Sequence, residues 1–211
     1  MPSISRTASS TVAKIDLREA GLVGDLPGAV DIDEYQRQLV NLQEDLKTLP
    51  HGTATAARFE DIVGDIMKLC FFRSLTNIEP KSRTVDGRVI RDWVAANHAS
   101  EGFWQLVRQR YNATQVIWEC KNYSDLEAGD FHQASYYIND KIGRFVVLAF
   151  RGIDRKKYYF EHVRRIADKD SGLVLMITQK DLETFIRQAI NGKSNQAHIQ
   201  EIYDQTVRII S

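Results

Sequence analysis

Cysteine is scarce, with two residues in a chain of 211, Cys70 and Cys120, each inside an apolar run. That excludes a disulfide framework and reads as two small buried hydrophobes of a reducing compartment. The five histidines are scattered, with no Cys/His spacing suited to zinc. An excess of either charge is also missing: 28 basic residues balance 28 acidic ones, for a formal net charge of zero. No global field draws the chain to a polyanion, so any basic surface has to be local. No apolar run approaches the roughly 20 residues of a membrane span, and no signal-peptide h-region opens the chain. A soluble, cytoplasmic protein without membrane contact is therefore expected. Helix-turn-helix, zinc-finger and long basic-arm patterns are missing as well, so the chain shows no target-reading module.

Length and an apolar fraction of 43% suffice for one domain with a full core plus a modest appendage. The appendage is assigned to residues 1–55. Met1 to Thr11 is Ser/Thr-rich and expected to be disordered. Asp31 to Leu49 reads as a helix, capped by Asp31 or Asp33, with Tyr35, Leu39, Leu42 and Leu46 at helical spacing and Pro50-His51-Gly52 ending it. Asp16, Glu19, Asp25, Asp31, Asp33, Glu34, Glu44 and Asp45 make this part acidic. It suits a phosphate backbone poorly and reads as a covering helix or as an arm for docking a protein partner or for oligomerisation.

Residues 56–211 alternate helices and strands, which implies an α/β domain with a mixed central sheet flanked by helices. Phe59 to Phe72 carries an apolar stripe of Phe59, Ile62, Val63, Ile66, Leu69 and Cys70. Glu60 borders that stripe in the expected first turn, where a carboxylate also suits the helix dipole. Lys81 to Asn97 reads as a hairpin about Asp86-Gly87, with Asp92 in its second arm. Ser100 to Tyr111 and Asp125 to Ile142 read as helices, the latter with Phe131, Ala134, Ile138 and Ile142 inward and Gln133 and Tyr137 paired one turn apart. Phe145 to Phe150 and Leu173 to Thr178 are continuous apolar runs typical of doubly buried strands. Asp181 to Ile190 and Gln196 to Ile210 close the chain as helices.

The stretch Thr114 to Tyr123 (T-Q-V-I-W-E-C-K-N-Y) is the centre of the reading. Val116, Ile117 and Trp118 mark a buried strand, and alternation puts Glu119 and Lys121 on one face. Charges at the end of an apolar strand need partners or a metal. Asp92, inside another β-branched and aromatic run, has the same need. This order of residues resembles the PD-(D/E)xK nuclease superfamily, in its Mrr- and RecB-type branches: Glu60 on a helix, Asp92, Glu119-Cys120-Lys121, then Gln133 and Tyr137. The resemblance covers Phe59 to Arg151. Arg91 stands where many relatives have proline before the Asp.

The resemblance implies a restriction-endonuclease-like fold and a Mg²⁺-dependent endonuclease, with Mn²⁺ able to substitute. Asp92, Glu119 and the Cys120 carbonyl would ligate the metal, with Glu60 on a bound water or a further ion. Lys121 would act on the attacking water or the phosphorane, while Gln133 and Tyr137 position it or the phosphate. The run Arg151 to Arg165 interleaves Arg155, Lys156 and Lys157 with Tyr158, Tyr159 and Phe160, which suits phosphate contact with stacking. The expected role is an effector subunit of a bacterial defence system acting on DNA, as a homodimer or in a larger complex. The alternatives are a non-catalytic or gated scaffold with the same fold, and an RNA- or junction-cutting enzyme.

Overall fold

The computed structural model describes residues 32–83 and 90–211. Five strands, β1 (Leu75–Arg83), β2 (Ile90–Asn97), β3 (Gln115–Lys121), β4 (Phe145–Phe150) and β5 (Leu173–Thr178), lie side by side in chain order. β1–β2 and β2–β3 pair antiparallel, whereas β3–β4 and β4–β5 pair parallel. The sheet is therefore mixed, as expected. All six residues of β4 are buried, because this strand is covered on both faces. β1 forms an edge, and its Pro80 and the register shift between Thr76 and Glu79 blunt that edge against further pairing.

Helices α1 (Ile32–Thr48), α2 (Ala56–Cys70) and α6 (Gln179–Ile190) pack on one another. Leu39, Leu42 and Leu46 of α1 are buried there, and the Tyr35 hydroxyl donates to the Leu69 carbonyl at 2.7 Å. The helix thus covers the core through the spaced leucines. The second group is α3 (Gly102–Tyr111), α4 (Ala128–Tyr136), α5 (Lys156–Asp170) and α7 (Gln196–Ile210), in which α5 joins α4 to α7 and α3 also meets α7. Phe71, just after α2, touches Trp118, Trp104 and Phe185, which sets the aromatic centre of the core. Trp93 likewise turns to α2, where its indole N–H donates to the Glu60 carbonyl at 2.8 Å. Gly64 makes this approach possible, since a Cβ there would overlap the Trp93 ring.

Two departures of helix boundaries from the sequence reading bear on the site. α2 starts at Ala56, led in by a 3-10 turn over Thr53–Thr55, so Glu60 sits in the second turn and its carboxylate does not serve the helix dipole. α4 stops at Tyr136, well short of Ile142. Asn139 accounts for this: its side-chain oxygen accepts the Lys141 and Ile142 N–H groups, a local alternative to continuing the helix. The expected disorder at Met1 to Thr11, the Asp31 cap and the Asp86-Gly87 turn lie outside the described residues.

Candidate active site

The site forms where the β2–β3 ladder ends. Trp93 pairs with Trp118, and one step further the antiparallel register would bring Asp92 opposite Glu119. The strand pairing stops there, and the Asp92 carboxylate takes the Cys120 backbone N–H at 2.8 Å instead. Trp93 and Trp118 fill the α2 side, so alternation sends Asp92, Glu119 and Lys121 to the other.

Glu119 is 1% exposed, and each carboxylate oxygen has a donor. Lys121 Nζ lies 2.9 Å from Oε1, and the Tyr137 hydroxyl lies 2.9 Å from Oε2. The same hydroxyl is 3.0 Å from the Ile90 carbonyl, so its single proton is shared between two acceptors. Gln133 closes the ring: its Oε1 accepts from Lys121 at 2.9 Å, and its Nε2 donates to the Tyr137 oxygen at 3.2 Å. The i, i+4 spacing of Gln133 and Tyr137 therefore serves one network, although Tyr137 is the residue that caps α4. Glu60 lies at the rim, with Lys81 Nζ 3.5 Å from its Oε2.

Acid outweighs base at this point. Burial first, then the charges of Glu119 and Glu60, push the Asp92 carboxyl up to about 7, against the opposing pull of the Cys120 N–H and Lys121. Burial would lower Lys121, but Glu119, Asp130 and Asp92 together hold it above its usual value, so it is a firm ammonium. Burial and Glu119 raise Tyr137, which stays a neutral donor. Burial, then Asp92 and Glu119, raise the Cys120 thiol well above its ordinary range. Cys120 is therefore neither a thiolate ligand nor a nucleophile.

Among the described residues no three His, Cys, Asp or Glu side chains cluster as a ready metal cage. Mg²⁺ does not require one, because it keeps several waters and binds through one or two carboxylates. Asp92, Glu119 and the main-chain oxygen of Cys120 are hard oxygen donors of that kind. Burial, then the Glu119 and Glu60 charges, disfavour the ionised Asp92, and a divalent cation at this point would favour it. The residues fit Mg²⁺.

The basic run does not form one patch. Arg151 is 6% exposed; it donates to the Leu49 carbonyl at 2.7 Å and lies over the Phe59 ring. It braces the chain ahead of α2 and offers nothing to a phosphate. Arg155 is engaged by Asp125 at 2.7 Å, Glu127 at 2.9 Å and the Leu126 carbonyl at 2.7 Å. Lys156 and Lys157 remain exposed on the first turn of α5.

Two residues escaped the sequence reading. Asp130 accepts from the Tyr123 hydroxyl at 2.7 Å and faces Lys121 Nζ at 3.7 Å. Its signal was the spacing Glu127-x-x-Asp130, a capping box at the start of α4. Asn122 is 2% exposed, and its amide donates to the Pro50 and Gly52 carbonyls and the Thr55 hydroxyl at 2.8–3.0 Å. It ties the loop before α2 to the residue after Lys121, and no local signal marks such a clamp.

No protein-family model and no solved structure matches the chain. The sequence is similar to an Escherichia coli (strain K12) protein described as a putative transposon gamma-delta 80.3 kDa protein, with 28% identity over 101 residues. That stretch is 47% of this chain and 14% of the relative, so the likeness covers a small part of a much longer protein.

Proposed function

We propose that this chain is a metal-dependent endonuclease that hydrolyses phosphodiester bonds in DNA. One observation carries the reading: a buried Glu119 bracketed by Lys121 and Tyr137, with Gln133 joining those two and Asp92 alongside at the end of β3. A purely structural ion pair would not need a second carboxylate against it, because unpaired acid costs stability. Asp92, Glu119 and the Cys120 carbonyl would hold Mg²⁺, which when bound supplies an acidified water and charge neutralisation at phosphorus. Lys121 presents its ammonium to a phosphoryl oxygen as negative charge develops there. Gln133 aims that ammonium, and Tyr137 fixes the orientation of Glu119. Glu60, at the rim, would bind a metal-coordinated water or complete a second metal site.

The partial likeness to a protein whose name ties it to a transposon, a mobile DNA segment, supports DNA as the substrate. Zero net charge and the internal engagement of Arg151 and Arg155 support delivery to DNA by a partner. The role proposed on that basis is an effector subunit of a bacterial defence system.

The test is cleavage of supercoiled plasmid, linear duplex and single-stranded RNA with Mg²⁺, Mn²⁺ or EDTA. Wild type is expected to cut DNA only with metal, while Asp92→Ala, Glu119→Ala and Lys121→Ala remain folded and silent. Cutting by the Glu119→Ala protein at the wild-type rate refutes the assignment.

A further inference from the structure

Lys121 sits among three acceptors. Glu119 Oε1 and Gln133 Oε1 are each 2.9 Å from its nitrogen, and Asp130 Oδ1 is 3.7 Å away. Asp130 is itself anchored, its Oδ2 by the Glu127 N–H at 2.9 Å and its Oδ1 by the Tyr123 hydroxyl at 2.7 Å. Both anchors are neutral groups that leave the carboxylate uncompensated and hold it 3.7 Å from the ammonium.

That arrangement answers a conflict inside the site. If Glu119 ligates a divalent cation, an ammonium hydrogen-bonded to the same carboxylate is held against a like charge in a low-dielectric setting. Lys121 then needs another acid, and Gln133 offers only a neutral oxygen. We propose that Asp130 is a positioning residue that takes Lys121 over from Glu119 when Glu119 binds the cation, an inference that rests on the metal-dependent reading above. The lysine would have two stations that share Gln133: one closed by Glu119, as described here, and one closed by Asp130 when Glu119 holds the cation. Lys121 thereby stays beside the phosphate without opposing the metal.

The experiment is calorimetric titration of the full chain with Mn²⁺ alone, no DNA present, for wild type, Asp130→Asn, Lys121→Met and the double variant. Asparagine at 130 still accepts the Glu127 N–H, so the start of α4 is kept. Asp130→Asn is expected to weaken Mn²⁺ binding about tenfold, the scale of an outer partner of a metal ligand. In the Lys121→Met background the same change is expected to cost less than about twofold, because Asp130 acts through Lys121. Asp130→Ser, which also accepts that N–H, is expected to repeat both results should the asparagine variant fold poorly. Wild-type affinity in Asp130→Asn, or an equal loss in both backgrounds, overturns the two-station lysine and leaves the metal site standing. A wild type that binds no Mn²⁺ overturns both.

Discussion

Asp92→Asn is expected to make the metal-free protein more stable, and increasingly so as pH rises. Asparagine still accepts the Cys120 N–H but carries no charge toward Glu119 and Glu60. The folded-state carboxyl sits at about 7 against an ordinary 3.8, so the sign follows from where protons are lost. Below about pH 4 folded and unfolded chains both hold the proton, and Asp92 costs nothing. From there to about pH 7 only the folded chain holds it, so each step up in pH favours unfolding. Above pH 7 the loss is complete, at most about 4 kcal/mol for a shift of this size. A partly wetted group feels less, and about 2 kcal/mol is expected to develop between pH 5 and pH 8. Urea unfolding in EDTA at pH 5, 6, 7 and 8 reads the gap between variant and wild type. A gap that is flat or shrinks with pH refutes the electrostatic reasoning. Saturating Mg²⁺ is expected to reverse the order, since ligand at a hundredfold its dissociation constant adds about 2.7 kcal/mol to the protein that binds it.

Gly64→Ala is expected to destabilise by about 1–3 kcal/mol in thermal or urea unfolding, because the new methyl overlaps the Trp93 ring. An unchanged melting temperature would show that α2 is not pressed against β2 as described. Tyr137→Phe removes the donor to Glu119 Oε2 and is expected to lower metal-dependent turnover about 10- to 100-fold without weakening DNA binding. Turnover within twofold of wild type argues against that positioning role. Asn122→Ala is expected to cost about 2–4 kcal/mol and to speed amide exchange at Gly52, whose N–H donates to the Asn122 carbonyl at 2.7 Å. Unaltered exchange there would mean the loop is held by something else.

Much of this molecule could be read from short-range chemistry. The apolar runs at 145–150 and 173–178 became β4 and β5 with those same limits, because a doubly buried strand needs nothing beyond its own side chains to announce itself. α7 likewise spans Gln196–Ile210 as its periodicity predicts. That Glu119 and Lys121 share a face follows from pleat geometry alone, and the 2.9 Å contact is its consequence.

The remainder depends on what meets what across the chain. Asp92 reaches Cys120 over 28 residues because the β2–β3 ladder ends where it does, and nothing near Asp92 in sequence specifies that end. Tyr137 was legible as a helical partner of Gln133, but its use on Glu119 depends on α4 ending at residue 136, which Asn139 decides locally. Arg151 shows the limit best. In sequence it opens a basic run fit for phosphate; in the fold its backbone follows β4 and its guanidinium turns inward onto Leu49 and Phe59. Residue type determined which groups were charged, apolar or strand-forming. Only tertiary packing decided which charges were spent inside the protein, on carbonyls and rings, and which were left over to act on a ligand.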